Sequence, residues 1–433
     1  MSSEPKIFHG EWWVPARVDH DINMVLMQPE SMTGHERKYT GTLAYYGDQD
    51  STLSLYHVPS NFYAKHYKQN DVMWGMDANG NIFTLFKVVM EDNLNGDFTN
   101  STFKVDLILM GEHVISLKEP MYNKCVVQFP FLRNWAFHDN LINSRKNGLL
   151  NSTILDVRNM AILVQTQVDD TIKWVLWDKF SSNRSIYDLI INQLTEFVID
   201  TDEIVPIDKF LRHIREFSQF LSVALYCKQT PTEIWFYKKA QNHSVQLLFK
   251  IDKSIDPITN KLIQFDDLKE KVPTMLGIWH KNYDKISPIS SYLIDSLQKK
   301  NAFNVPDFLI IAQALDGYHK RFVNKKNGKD IRKYEKQMEV LLDQFKDVEV
   351  IQQCNIDPKV LCDTRNKYSH LYPDDEESLA VEGEELYWLT EKCKILLTCC
   401  ILNMMGLSNA EINLCCENSS IARMIKSNPF EFG

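Results

Sequence analysis

The segment from Asp363 to His370 combines an arginine, an amide and an imidazole within a short predicted helix. In such a helix Asn366 and His370 share a face, and Arg365 lies about 7.5 Å from His370 along the axis. Arginine offers a permanently charged fork for phosphate oxygens, while histidine gives and takes protons near neutral pH. The spacing therefore predicts a site that could hold a phosphodiester and cleave it.

A second feature is the basic segment between His319 and Lys336. It contains eight lysines or arginines against two acids, Asp330 and Glu335, in a chain whose formal net charge is -9. Because the molecule as a whole repels nucleic acid, a phosphate backbone would need a local basic patch of this kind. A solvated loop between helices and a phosphate-binding surface explain the segment equally well.

Motifs for other chemistries are missing from the sequence. It has no Walker phosphate loop, no H-E-x-x-H pair, no glycine-rich dinucleotide fingerprint and no G-x-S-x-G elbow. The acidic run over 374–377 is typical of a solvated helix start and is not expected to bind a metal. We therefore expect a metal-free mechanism that uses no cofactor.

The first part of the chain, which must support these residues, has a β pattern. From Gly10 to about Phe137, short runs of β-branched and aromatic residues alternate with turn residues, which predicts an antiparallel sandwich or barrel. Trp12 and Trp13 are expected to be core residues of this domain. Further strands follow, with one amphipathic helix over 207–225, on which His213 stands among charged neighbours and is expected to be solvated.

After residue 265 the strand signals nearly vanish and helical spacing takes over. We predict an α+β protein with a β-rich domain over 1–265 and an all-α helical bundle over 266–433, which carries both features described above. Helices are predicted over 271–280, 289–298, 305–322, 330–345, 358–370, 377–405 and 408–424.

Composition also bears on the compartment. The nine cysteines are odd in number and show no C-x-x-C spacing, which favours reduced, buried thiols. The N-terminal segment is polar, and no apolar run reaches the roughly 18 residues of a membrane span. We therefore expect a cytoplasmic protein without a signal peptide or a membrane partner.

The pattern Arg365-Asn366-x-x-x-His370 in a helical domain resembles the signature of the HEPN family. Gly10-Glu11-Trp12-Trp13 at the start of the β-rich domain, and a long helix over 307–318 ahead of the motif, make the chain similar to the ApeA type of bacterial anti-phage proteins in particular. This resemblance covers nearly the whole chain. The family often has Glu where this chain has Asp316.

The resemblance implies a metal-independent endoribonuclease that acts in abortive infection as a homodimer, with two motifs facing one cleft. His370 would be the general acid or base, Arg365 would stabilise charge on the phosphate, and Asn366 would orient His370 or bind the phosphate. Asp316 could hold Arg365 or His370 from the preceding helix, or be a plain surface acid. The substrate would be RNA, with tRNA as one candidate, and the expected RNA contacts are Lys320, Arg321, Lys325, Lys326, Lys367 and Tyr368.

Two alternatives remain open. The helical domain could be a non-catalytic HEPN module that binds RNA or a nucleotide, or that dimerises. The whole chain could instead be a carbohydrate- or protein-binding module based on the β-rich domain and its tryptophans. For a ribonuclease, the β-rich domain is expected to sense a phage component or to restrain the nuclease, since unrestrained cleavage would kill the host.

Overall fold

The computed structural model describes residues 4–15, 38–59, 72–91, 98–136, 141–146, 149–155, 161–184, 189–239, 243–252, 261–298, 305–323, 331–371 and 378–421. The chain forms two compact units that interleave along the sequence. The first unit comprises residues 1–128, 198–212 and 230–253, and the second comprises 129–197, 213–229 and 254–433. Neither unit is one continuous stretch, and the predicted cut after residue 265 stays a prediction.

Antiparallel strands build the first unit, and a few more belong to the second. Strand β12 runs through both units. The strands are β1 (Lys6–Trp13), β2 (Tyr39–Tyr45), β3 (Ser51–Pro59), β4 (Val72–Asp77), β5 (Ile82–Glu91), β6 (Phe98–Met110), β7 (Pro120–Gln128), β8 (Leu141–Lys146), β9 (Leu149–Leu155), β10 (Ala161–Gln167), β11 (Ile172–Arg184), β12 (Leu189–Pro206), β13 (Glu233–Tyr237) and β14 (Ser244–Phe249).

Six of these strands close into a barrel. The pairs follow the order β1-β2-β3-β6-β5-β4, and β4 pairs again with β1. In the first unit β14, β13, β7 and the end of β12 extend the sheet outward from β6. In the second unit β10 pairs with β11, and β8 pairs with β9. The structure thus confirms the barrel form of the predicted β-rich domain.

The barrel interior is filled around Trp12, whose ring lies 5.7 Å from that of Phe83. A Cβ at Gly75 would lie 2.1 Å from the Trp12 ring, so this position needs glycine. Trp12 and Trp13 are both buried, which confirms that they are core residues. This burial removes the main support for a carbohydrate-binding platform on these tryptophans.

The helical part follows, as the sequence predicts, so the α+β class is confirmed. Residues 207–212 of α2 belong to the first unit and residues 213–224 to the second. The helices are α1 (Leu132–Trp135), α2 (Ile207–Ala224), α3 (Phe265–Leu268), α4 (Val272–Gln298), α5 (Val305–Tyr318), α6 (Tyr334–Gln344), α7 (Glu349–Cys354), α8 (Pro358–His370), α9 (Gly383–Met404) and α10 (Asn409–Glu417).

Several predicted helix boundaries are wrong. The two helices predicted over 271–280 and 289–298 are the single helix α4, which continues through Pro288. The helix predicted from residue 377 begins at Gly383, and residues 378–382 have no regular secondary structure. Helix α7 was not predicted, because six residues are too few to show helical spacing. A π-helical turn, His319–Val323, continues α5 and carries the first residues of the basic segment.

The bundle is organised around α9, which is buried on nearly all sides. It packs against α5 and α4, while α8 packs against α6 and α5. Within the described ranges, no helix has both the length and the apolar character that crossing a bilayer requires. All nine cysteines are free thiols and eight of them are buried, in agreement with the predicted reduced thiols.

Candidate active site

Helix α8 carries the Arg–Asn–His motif, and its start is fixed by its own sequence. The Asp357 carboxylate accepts hydrogen bonds from the backbone N–H groups of Lys359 and Val360, and Pro358 occupies the first helical turn. Both features favour a helix N-terminus at this point. The helix ends at His370, where Leu371 takes a left-handed conformation with φ of 53°. The predicted helix over 358–370 is confirmed.

One face of α8 contacts the segment 378–382, which lies outside the helices and strands. The Thr364 hydroxyl accepts from the Val381 backbone N–H at 3.1 Å, and the Tyr368 hydroxyl donates to the Val381 carbonyl at 3.3 Å. Lys367 forms an ion pair with Glu382. Both Lys367 and Tyr368 therefore have partners within the protein, and their predicted contacts with RNA stay a prediction.

A cleft of about 310 Å³ lies where α5, the π-helical turn, α6 and α8 meet. Four cationic side chains face it, against only two carboxylates, so the cleft is basic within an acidic protein. Such a balance suits an anionic ligand. The lining residues are Asp316, Lys320, Arg332, Lys333, Tyr334, Glu335, Gln337, Cys362, Arg365 and Asn366.

Arg365 is held in this cleft by two neighbours. Its Nη1 donates to the Asn366 Oδ1 at 3.0 Å, and its guanidinium carbon lies 5.4 Å from the centroid of the Tyr334 ring. That distance is within the range of a cation–π contact. Tyr334 is buried and donates its hydroxyl to the Ala312 carbonyl at 3.2 Å, so the ring is itself fixed.

Tyr334 was missed in the sequence, although it stands between Lys333 and Glu335 at the start of a predicted helix. Burial raises the pKa of the Tyr334 hydroxyl well above its usual value, while the nearby Arg365 charge acts in the opposite direction. The hydroxyl therefore stays neutral at physiological pH. An aromatic residue inside a basic segment was the signal that could have identified it.

Asn366 links Arg365 to the preceding turn of α8. Its Oδ1 accepts from Arg365, and its Nδ2 donates to the Cys362 Sγ at 3.5 Å. These contacts give Asn366 a role in positioning the guanidinium. The predicted alternatives, orientation of His370 or contact with a phosphate, stay predictions.

Asp316 lies in the same cleft as Arg365, on the last turn of α5. Its carboxylate forms an ion pair with Lys320 at 2.7 Å, one turn further along the chain. Its charge also acts on the pKa of Tyr334, as does that of Arg365. The structure thus brings Asp316 and Lys320 to the site, with Lys320 as the partner of the acid.

His370 lies apart from this group. It is the last residue of α8 and is exposed, and the neighbouring Leu371 side chain is 85% exposed. Over the part of the chain that the structure describes, His370 does not line the cleft around Arg365. The motif therefore presents its arginine and amide inside a cleft and its imidazole at the surface.

The remaining predicted RNA contacts have mixed outcomes. Arg321 donates from its Nη1 to the Lys285 carbonyl at 2.6 Å, so its guanidinium already joins the π-helical turn to α4. Lys325 and Lys326 lie outside the described residues. Arg332 and Lys333, which belong to the basic segment but were not among the predicted contacts, do line the cleft.

A possible metal-binding group lies elsewhere in the second unit. Among the residues that the structure describes, His213, Glu216 and His280 are the one set of three or more His, Cys, Asp or Glu side chains with suitable spacing. None of the three lines the cleft. The prediction that His213 is solvated is wrong, because its side chain is buried.

Comparison with known families supports the predicted architecture. The family model described as ApeA N-terminal domain 1 matches residues 7–279, which is well over half of the chain. The model described as Apea-like HEPN matches residues 309–411, a range that contains Asp316, Arg365, Asn366 and His370. These two matches, in this order, confirm the resemblance found in the sequence. No curated protein and no solved structure matches the chain.

Proposed function

Since the chain belongs to the family of the ApeA N-terminal domain 1, here followed by an Apea-like HEPN domain, we propose that it is an anti-phage endoribonuclease. The observation that carries this proposal is the basic cleft in which Arg365 is held by Asn366 and Tyr334. A fixed guanidinium is suited to bidentate contact with phosphate oxygens. The cleft volume is at the lower end of small-ligand sites, which suits one nucleotide of a longer strand.

The proposed reaction is an attack of the RNA 2′-hydroxyl on the adjacent phosphorus. A general base removes the hydroxyl proton, the 2′-oxygen bonds to phosphorus, and the bond to the 5′-oxygen breaks as a general acid protonates it. Arg365 stabilises the charge that builds on the non-bridging oxygens. The products are a 2′,3′-cyclic phosphate and a 5′-hydroxyl, and this route calls for neither a metal ion nor a cofactor.

His370 is our candidate for the acid–base group, and its position favours a site made by two chains. An exposed imidazole at a helix end can reach a strand that is bound across two copies of the motif. In a homodimer, one His370 could act as the base and the other as the acid. Arg332, Lys333 and Lys320 would hold the flanking phosphates.

The decisive experiment incubates purified protein with total RNA in EDTA, with and without extract from phage-infected cells. Wild-type protein is expected to release cyclic-phosphate ends, while Arg365→Ala and His370→Ala reduce the rate by about 100-fold or more. His243→Ala is the matched control, because His243 is an exposed histidine of the first unit. Cleavage of a 2′-deoxy substrate, or full activity of Arg365→Ala, would contradict the mechanism.

A non-catalytic HEPN module is the second candidate, and the separation of His370 from the cleft favours it. In that case the cleft binds RNA or a nucleotide without cutting it. Fluorescence anisotropy with a labelled oligonucleotide would then show binding that Arg365→Ala weakens and His370→Ala leaves unchanged. No RNA products would form with wild-type protein, even with extract from infected cells.

The proposal extends to the rest of the chain. We assign the protein to the cytoplasm, where its RNA substrate, with tRNA as one candidate, would be found. The N-terminal domain is proposed to sense a phage component and to restrain the nuclease until that component binds. Mixing purified protein with individual phage proteins, and following RNA cleavage, identifies the trigger.

A further inference from the structure

Two helices of the second unit bring three potential ligands together. His213 and Glu216 lie one turn apart on α2, and His280 lies on α4. The Glu216 Oε2 is 2.6 Å from the His280 Nδ1 and 3.5 Å from the His213 Nδ1. One ligand atom from each residue can be chosen so that all three lie within 4.8 Å of one another.

The surroundings of this cluster are aromatic and dry. The Trp174 ring stands nearly perpendicular to both imidazoles, with centroids 5.8 Å from His213 and 5.6 Å from His280. The side chains of Glu216 and His213 are 0% and 3% exposed. A carboxylate in such a place requires a compensating positive charge.

The hydrogen bonds within the cluster do not include the Nδ1 of His213. His280 bonds to the Glu216 carboxylate, but the Nδ1 of His213 is buried and has no hydrogen-bond partner among the residues that the structure describes. Buried polar atoms in native proteins are nearly always satisfied, so an exception asks for an explanation. A cation placed between the three residues would give His213 a partner and would also bind the Glu216 carboxylate.

We propose that His213, Glu216 and His280 bind a divalent transition-metal ion, and that zinc is the best fit. Two imidazole nitrogens and one carboxylate oxygen are an established zinc ligand set, with bonds of about 2.0–2.2 Å. Tetrahedral geometry at those bond lengths spaces the ligand atoms by about 3.3 Å. The contacts of 2.6 and 3.5 Å to Glu216 need to change by less than about 1 Å to meet that spacing.

The ion takes the place of the proton shared by His280 and Glu216, so uptake of metal releases protons. Three protein ligands leave a fourth position for water. The His280 side chain is 18% exposed, which gives that position a route to solvent. The site is separate from the cleft, so this proposal does not depend on the ribonuclease mechanism.

The ion would clamp α2 to α4 within the second unit. His213 and Glu216 lie inside the N-terminal match, which ends at residue 279, and His280 is the next residue. Helix α4 packs in turn against α5, which carries Asp316. The clamp would thus fix α4, the helix against which α5 packs.

The test measures metal content in full-length protein purified without chelators or a histidine tag. About one zinc per chain is expected by mass spectrometry. After zinc is stripped by prolonged chelation, added Co²⁺ should produce visible d–d absorption that saturates near one equivalent, and the Tm should rise. His280→Gln and Glu216→Gln are expected to lose both the zinc and the Co²⁺ spectrum.

Two controls make the result decisive. His243→Gln removes an exposed histidine of the first unit and should keep both signals, and Arg365→Ala should keep the metal even if cleavage is lost. Because Glu216 is fully buried and its variant could fail to fold, the half-buried His280→Gln variant and its circular dichroism spectrum decide. Absence of metal together with no Co²⁺ spectrum, or full metal retention by His280→Gln, would overturn the site.

Discussion

Arg365 is restrained before any ligand arrives. The Asn366 side chain accepts a hydrogen bond from the Arg365 guanidinium, and the Tyr334 ring lies against that guanidinium. Because Tyr334 is anchored through its hydroxyl on the Ala312 carbonyl, the stacking surface is fixed as well. A side chain held in this way loses less conformational entropy when it binds a phosphate, so the arrangement favours recognition of a developing charge.

Arg365→Lys tests this restraint more finely than removal of the charge. Lysine keeps the positive charge but lacks the planar fork that stacks on Tyr334 and bonds to Asn366. We expect RNA affinity to fall only a few-fold, while the cleavage rate falls by about 10-fold or more. The measurements are anisotropy for affinity and single-turnover kinetics for the rate.

Arg332→Lys is the matched control for that variant. Arg332 lines the same cleft but is exposed. At that position the charge of a lysine is expected to replace the guanidinium with little loss of affinity or rate. Equal losses in both variants would show that the stack on Tyr334 has no special role.

Cys362 provides a reporter inside the cleft. It is the one half-buried cysteine of nine, and burial raises the pKa of its thiol. Since the thiolate is the reactive form, native protein should label slowly at pH 8 and faster as the pH rises toward 10, with Cys362 modified first. A bound oligonucleotide should slow this labelling, as read by peptide mass spectrometry. Faster labelling of a buried cysteine would contradict the described burial.

At the scale of elements, α10 is fixed by a capping box and an ion pair. The Ser408 side chain accepts from the Glu411 N–H, and the Glu411 carboxylate accepts from the Ser408 N–H at 2.9 Å and bonds to Lys271. The bond to Lys271, with those to Ser408, lowers the pKa of the Glu411 carboxyl from 4.5 to about 2.

This shift predicts a pH dependence of stability. A carboxyl whose pKa is lowered in the folded protein stabilises the fold when the pH is above its pKa in the unfolded chain. That stabilisation is lost as the pH falls through the pKa in the folded protein. Wild-type protein should therefore exceed Glu411→Gln in the free energy of unfolding at pH 6, and the difference should shrink between pH 4.5 and about 2. Urea titrations across this range measure it, and Glu417→Gln, at the other end of α10, is the control.

Much of the fold could be predicted from the sequence, because alternation and helical spacing report burial directly. The amphipathic helix predicted over 207–225 and the helix ending at His370 are examples. Two helices were predicted where α4 is a single helix; proline usually ends a helix, yet α4 continues through Pro288. Short elements such as α7 give too few residues for any period to show.

The site was predicted in part. Arg365, Asn366, Asp316 and Lys320 do meet in one cleft, and all four belong to the helices predicted over 305–322 and 358–370. Tyr334 was not predicted as a site residue, because its partner Arg365 lies on another helix. His213 was judged by its charged neighbours, although it stands three residues after Phe210 and four before Phe217, both buried. That spacing placed it on the buried face of α2.

At the scale of the whole molecule, the second unit draws on chain segments that are far apart in sequence. The Trp279 indole donates to the Glu216 carbonyl at 2.9 Å, and the Thr166 hydroxyl donates to the Pro273 carbonyl at 3.0 Å. Helix α4 thus depends on residues that precede it by about 60 to 100 positions. The helical region is therefore built on parts of the β-rich half.

A fragment covering residues 266–433 should consequently fold poorly. It keeps the buried Trp279 but loses Glu216, and with it Phe220, whose ring lies 5.8 Å away. We expect it to show a lower Tm, or no cooperative melting by circular dichroism, whereas full-length Arg365→Ala should melt like wild type. A fragment that melts cooperatively at the wild-type Tm would show an independent domain.

The π-helical turn His319–Val323 makes the cleft sensitive to the deletion or insertion of a single residue as well as to substitution. A π-helix accommodates one residue more than the α-helix around it. Loss of one residue between Asp316 and Lys320 would rotate Lys320 by about 100° relative to Asp316, and their ion pair would be lost. A deletion at this place is therefore expected to cost more than a conservative substitution, since it would move Lys320 away from the cleft.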